Sequence, residues 1–195
     1  DEEFHAITAT GADTIRIIKP YADRSMITDK IRRAERLGHF AVGIDIDHPF
    51  GPDGSHDIVD GLELSPLSTE EMMAIVKSTK LPVIAKGVLS VRDAETVIAC
   101  GCKRILTSGG GPTAMEGKEV LKELVVLAGD RITIMAGGGV RPDNVRELVA
   151  HTGAREAHGS CKVRTADGYD ETDTDTVRKL LEMARYPDAP ANRQG

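Results

Sequence analysis

The chain reads as an α/β protein built on a parallel sheet with right-handed crossovers. Three observations predict it: six short apolar runs alternate with helical patterns, each run is short enough to be a strand buried on both faces, and each run exits into glycines or polar residues. A doubly wound sheet takes six such units directly, whereas a closed (β/α)8 barrel needs two more strands; the pattern alone leaves both open. Ligands bind at the C-terminal strand ends in either architecture. Lys19, Asp45, Lys86, Ser108, Gly138 and His158 are therefore candidates by position.

In chain order, residues 3–10 form a short helix-like lead closed by Gly11, and TIRIIK, residues 14–19, is the first strand, its β-branched run suited to burial. Ser25 is expected to cap a helix through Leu37, whose Ile27, Ile31, Ala34 and Leu37 make one apolar stripe. The second strand, 40–46, delivers Asp45 and Asp47 to its exit, and a long loop through Gly61 follows. A helix over 69–79 precedes the third strand, 81–85, which ends in the Lys86-Gly87 pair. Ser90 caps the next helix, with Val91, Ala94, Val97 and Ile98 on one face and Gly101 as its stop. The fourth strand, 104–106, runs into Ser108 and three glycines, and a helix is expected over 112–129. The fifth strand, 131–136, exits as GGGVR, with Pro142 and Asp143 opening a helix to Ala150. The sixth, 154–158, exits as HGSCK; a last helix, 173–185, carries Val177, Leu180, Leu181 and Ala184 on one face, and a disordered tail is expected over 187–195.

Composition narrows the function. The 195 residues carry a net charge of −6 with both signs interspersed, which argues against a nucleic-acid surface. No apolar stretch approaches the roughly 20 residues that span a bilayer, and no signal segment opens the chain, so a cytoplasmic protein of one domain, residues 1–186, is expected. Asp1 in first position suggests a fragment or a processed form. Three cysteines make no disulfide framework. The chain contains no Trp and only three Phe, so its core is aliphatic.

Glycines 137–139 before Val140 and Arg141 suit a phosphate cradle: they let the backbone approach a phosphate, a following helix supplies N–H groups, and Arg141 adds charge. The alternative is a ligand-free turn. Ser108 and its glycines are a second candidate of the same kind. Cys100, Cys102, Cys161, His151 and His158 are the possible soft-metal donors, since thiolates favour Cu(I). Cys100 ends a helix and Cys102 approaches a strand, so the pair also reads as ordinary buried thiols. The acidic residues 45, 47, 53, 57 and 60 with His48 fit no Ca²⁺ loop spacing and read as a solvated loop.

Residues 12–100, through IKPYADRSMITDKIRRAERLGHFAVGIDIDHPFG and SPLSTEEMMAIVKSTKLPVIAKGVLSVRDAE, resemble the FMN-dependent 2-hydroxy-acid oxidase and dehydrogenase family. Residues 101–186, through GCKRILTSGG, ITIMAGGGVRPDNV and EAHGSC, are similar to the copper homeostasis protein family CutC. Both resemblances imply a (β/α)8 barrel, here six β/α units with the first two strands missing. The first implies that Lys86 contacts a flavin ring and that Gly138, Gly139 and Arg141 hold its phosphate; a fixed cation beside that ring favours its anionic reduced form. Asp45 stands where that family usually has a flavin-contacting Thr, Ile17 where it has a Gln, and Lys19 where it has a substrate-binding Tyr. The histidine base that follows the next strand in that family has no counterpart in LTSGGGPTAMEG. The second resemblance implies copper handling, with Cys102, His158 and Cys161 as candidate contacts. A third expectation is a partial barrel without ligand function, whose open strand edges pair with a second copy.

Overall fold

A computed structural model describes residues 11, 13–47 and 54–185; the expected lead helix, the tail, His48 and Asp53 lie outside them. Strand β1 (Ile15–Ile18) is followed by helix α1 (Arg24–Arg36) and strand β2 (Ala41–Asp45). A hairpin of β3 (Ile58–Val59) and β4 (Leu62–Glu63) precedes α2 (Thr69–Lys77), β5 (Val83–Lys86), α3 (Val91–Ala99) and β6 (Arg104–Thr107). Then come α4 (Lys118–Ala128), β7 (Thr133–Gly137), α5 (Val145–Thr152) and β8 (Glu156–His158). A second hairpin, β9 (Lys162–Arg164) with β10 (Asp170–Thr172), leads into α6 (Thr174–Ala184).

The main sheet is parallel, in the order β1-β2-β5-β6-β7-β8. Every crossover moves the chain one strand in the same direction, and a constant hand then puts every helix on the same face. Packing agrees with this. Ile18, Val42, Ile44, Val83, Ala85, Ile105, Ile134 and Ala136 share one core with Ile31, Ile75, Val97, Leu121 and Leu148 of the first five helices. The other face carries Ala41, Ile84 and Leu106 with Met135 against them. A doubly wound sheet would reverse direction and have helices on both faces, so the curled, half-barrel arrangement resolves the choice that the sequence pattern left open.

The inner face interdigitates across strands. A Cβ on Gly43 would overlap Ile17 Cδ1, and one on Gly137 would overlap Leu106 Cδ1, so each large side chain lies over a glycine of the neighbouring strand. Ile17 nevertheless remains 42% exposed, because β1 has a sheet neighbour on one side only.

Several boundaries differ from expectation. Asp23, not Ser25, caps α1: its carboxylate accepts from Ser25 N at 3.0 Å, and the helix begins two residues earlier. Residues 112–117 make turns, so α4 starts at Lys118, and α5 starts at Val145 instead of Pro142. The first hairpin begins within the stretch expected to be a long loop. At α2 the Ser68 hydroxyl accepts from Glu71 N and the Glu71 carboxylate accepts from Ser68 N, a reciprocal capping box. Arg24 joins α1 to this corner through Glu71, at 2.8 Å, and the Pro66 carbonyl, at 2.6 Å. No helix among the described residues is long and apolar enough to cross a membrane.

Candidate functional site

Parallel register carries Asp45 and Lys86 to adjacent strand ends, where they pair directly. Asp45 is 2% exposed, and both its oxygens are taken: Lys19 Nζ donates to Oδ2 at 2.7 Å and Lys86 Nζ to Oδ1 at 2.8 Å. Asp47 Oδ1 lies 3.7 Å from Lys86 Nζ. Burial pushes the Asp45 carboxyl up, but the hydrogen bonds with Asp47, Lys19 and Lys86 outweigh it and hold the group well below the ordinary carboxylate range. Two ammonium groups thus face two carboxyl groups. Gly87 makes this possible: its φ is +84°, and a Cβ there would overlap the Asp47 carboxylate.

Beside this cluster a cleft of about 320 Å³ opens at the C-terminal strand ends, lined among others by Lys86, Ser108, Gly138, Gly139 and His158. Its walls are tied internally. Thr107 Oγ1 donates to the Val88 carbonyl at 2.5 Å and accepts from Gly109 N at 3.1 Å, while Ser108 Oγ donates to the Gly111 carbonyl at 2.7 Å. The Gly138 carbonyl accepts from Ala114 N at 2.8 Å, joining the two glycine turns. Gly138 and Gly139 have φ of +99° and +69°, and among the described residues their N–H groups donate to no protein acceptor. Asn144 stiffens this loop: its Nδ2 donates to the Gly139 carbonyl at 2.9 Å and its Oδ1 accepts from Arg141 N at 2.8 Å.

Five of the expected residues therefore line one cleft, with Asp45 beneath it. Arg141 is exposed and is not part of the lining, and the start of α5 at Val145 leaves the glycines in a loop instead of at a helix N-terminus. His158 ends β8 opposite Gly137, and the surrounding protein, with a smaller effect from the Lys86 ammonium, lowers its pKa and favours the neutral ring.

The soft-metal donors do not converge. Cys102 lies just before β6, at the N-terminal end of the sheet, whereas His158 and Cys161 lie at the C-terminal end of β8. A parallel sheet keeps those ends apart, and among the described residues no group of three His, Cys, Asp or Glu side chains could hold a metal ion. Burial, with a smaller contribution from Cys100, pushes the Cys102 thiol up to about 12, and burial followed by Asp173 raises that of Cys161. His151 is on α5, 2.8 Å from Glu119. The Lys19–Asp45–Lys86 pairing and the seating of Asp47 over Gly87 were not anticipated; three charged residues at the exits of three adjacent strands were the available signal.

Comparison with known proteins finds relatives of two kinds. Residues 76–163 match the CutC family model. The CutC family protein of Xylella fastidiosa strain Temecula1 is 42% identical over 106 residues, 47% of this chain and 40% of that protein. That of Caulobacter vibrioides strain NA1000 is 54% identical over 66 residues, 34% of this chain and 27% of that protein. The chain thus spans less than half the length of these curated relatives. Among solved structures, mandelate oxidase with 3,3-difluoro-2-hydroxy-3-phenylpropionic acid superposes with a TM-score of 0.67 at 24% identity, over 93% of this chain and 58% of that one. A mandelate oxidase mutant with a monooxide FMN adduct gives 0.66 at 24% identity, over 92% and 58%. The chain is similar in sequence to CutC proteins over residues 76–163 and shares its fold with mandelate oxidase.

Proposed function

We infer that the cleft binds a small phosphate-bearing molecule, with the N–H groups of Gly138 and Gly139 at the phosphate, Ser108 in the wall beside it, and Lys86 and His158 along the body. The observation that carries this reading is the pair of left-handed glycines at a strand exit whose N–H groups have no acceptor among the described residues, the arrangement a phosphate oxygen needs. The sequential strand order and the likeness to mandelate oxidase support a (β/α)8-type architecture with six units present; the outer edges of β1 and β8, which have one sheet neighbour each, support pairing between copies.

FMN fits this cleft at one end only. The glycine loop suits its phosphate, but Lys86, the cation expected beside the ring, is engaged by Asp45 and Asp47, and the segment directly after β6, residues 108–117, contains no histidine to take a substrate proton. Binding of a phosphate monoester is supported better than oxidation of a 2-hydroxy acid. Titration with FMN and with riboflavin, followed by flavin fluorescence, tests the reading. Saturable FMN binding, displaced by inorganic phosphate and at least about tenfold tighter than riboflavin, is expected from charge-assisted hydrogen bonds to the phosphate. Equal affinity for the two flavins, or no binding of FMN or phosphate, overturns it.

The match of residues 76–163 to the CutC family favours a second reading, copper binding. Of the three candidate contacts, His158 and Cys161 share the C-terminal end of the sheet and Cys102 does not, so this reading rests on the first two. A Cu(I) competition titration in which Cys161→Ser binds as tightly as the parent chain would remove it.

A further inference from the structure

The geometry points to Asp45 as the residue that sets the charge preference of the cleft: by holding Lys19 and Lys86, it leaves a ligand to be recognised by a single anionic group at the glycine loop and an uncharged body over Lys86. This rests on the phosphate reading of the same cleft. Asp45 is a buried carboxylate whose two oxygens each take a lysine at 2.7–2.8 Å, and Asp47, seated in the space that Gly87 leaves open, puts a second carboxyl oxygen 3.7 Å from the Lys86 ammonium. A ligand acquiring negative charge near Lys86 therefore meets a cation already engaged by two carboxyl groups, that of Asp45 at hydrogen-bond distance. The ligand class that matches is a phosphate monoester with a neutral, hydrogen-bonding body. A molecule that must carry a second negative charge at Lys86, as a reduced flavin ring does, is disfavoured.

Removing the carboxylate charge should release the lysines to the cleft. Binding of inorganic phosphate and of FMN is measured by calorimetry for the parent chain, Asp45→Asn and Asp45→Asn/Lys86→Met, with circular dichroism to establish that each is folded. An uncompensated cation within several ångströms of a dianion should tighten binding in Asp45→Asn by at least about tenfold, and the double variant should lose that gain. A parent chain that binds neither anion while Asp45→Asn binds both contradicts the phosphate reading and leaves the role of Asp45 standing. Unchanged affinity in folded Asp45→Asn, or a gain that survives the loss of Lys86, overturns the role of Asp45. If Asp45→Asn does not fold, Asp47→Asn takes its place: a smaller gain that depends on Lys86 supports the assignment, and no gain overturns it.

Discussion

Strands β2 and β8 do the same job under different conditions. Each ends in a site residue, Asp45 or His158, and each lies beside a strand of the same parallel sheet. β2 has neighbours on both sides and all five of its residues are buried; β8 has β7 alone, and two of its three residues are exposed. Their helices differ in the same way. α1 and α6 both start at an Asp cap and carry an apolar stripe, yet α1 buries Ile27, Ile31 and Ala34 while α6 buries no residue and leaves Leu181 57% exposed. A crossover helix packs over the two strands it connects, and α6 follows the last strand. Amphipathic spacing thus reports which face a helix offers, not whether the sheet beneath is there to receive it.

That contrast can be tested from its strongest side downward. Ile31→Ala, in the buried stripe of α1, should cost about 3 kcal/mol in urea unfolding, the cost of deleting a fully buried aliphatic side chain; a loss below about 1 kcal/mol would erase the distinction between the two helices. Ser68→Ala should cost about 1 kcal/mol, since it breaks the capping box at the start of α2. The Asp45 cluster should separate the centre from the edge by pH. Because its pKa is depressed in the folded chain, Asp45 contributes stability above the unfolded carboxyl pKa of about 4 that disappears as pH falls through the folded value. The urea midpoint of the parent chain should therefore fall more steeply below about pH 4 than that of Asp45→Asn, and parallel curves would remove the cluster from the stability of the fold. The smallest change is expected for Leu181→Ala, within about 0.5 kcal/mol. Amide exchange provides the matching measurement on the backbone, with β8 exchanging well before β2.

Much of the scaffold was legible in the residues. All six sheet strands overlap the short apolar runs that exit into glycines or polar residues, because strands buried in a parallel sheet are apolar. Strand order was not legible in the pattern of βα units, which does not encode which neighbours pair; it was implied by the resemblance to barrel families. Local competition explains the smaller differences. Asp23 and Ser25 are both good caps two residues apart, and the carboxylate accepts from both the Ser25 amide and its hydroxyl. Lys86, Ser108, Gly138, Gly139 and His158 could be placed together because strand exits share one end of a parallel sheet. The same rule, applied to Cys102, separates it from Cys161. What engages Lys86 was hidden by its distance of 41 residues from Asp45, a pairing that only the register of β2 against β5 creates.

The sequential strand order also bears on how the chain assembles. Each sheet strand pairs with the sheet strand next to it along the chain, so no strand must be inserted between two already in place. Closing each pair requires only the short crossover between them, a modest loss of chain entropy compared with joining distant segments. Assembly that starts at a central pair can then spread outward in both directions, and the last elements to dock are the outermost ones, β1 at one side and β8 with α6 at the other.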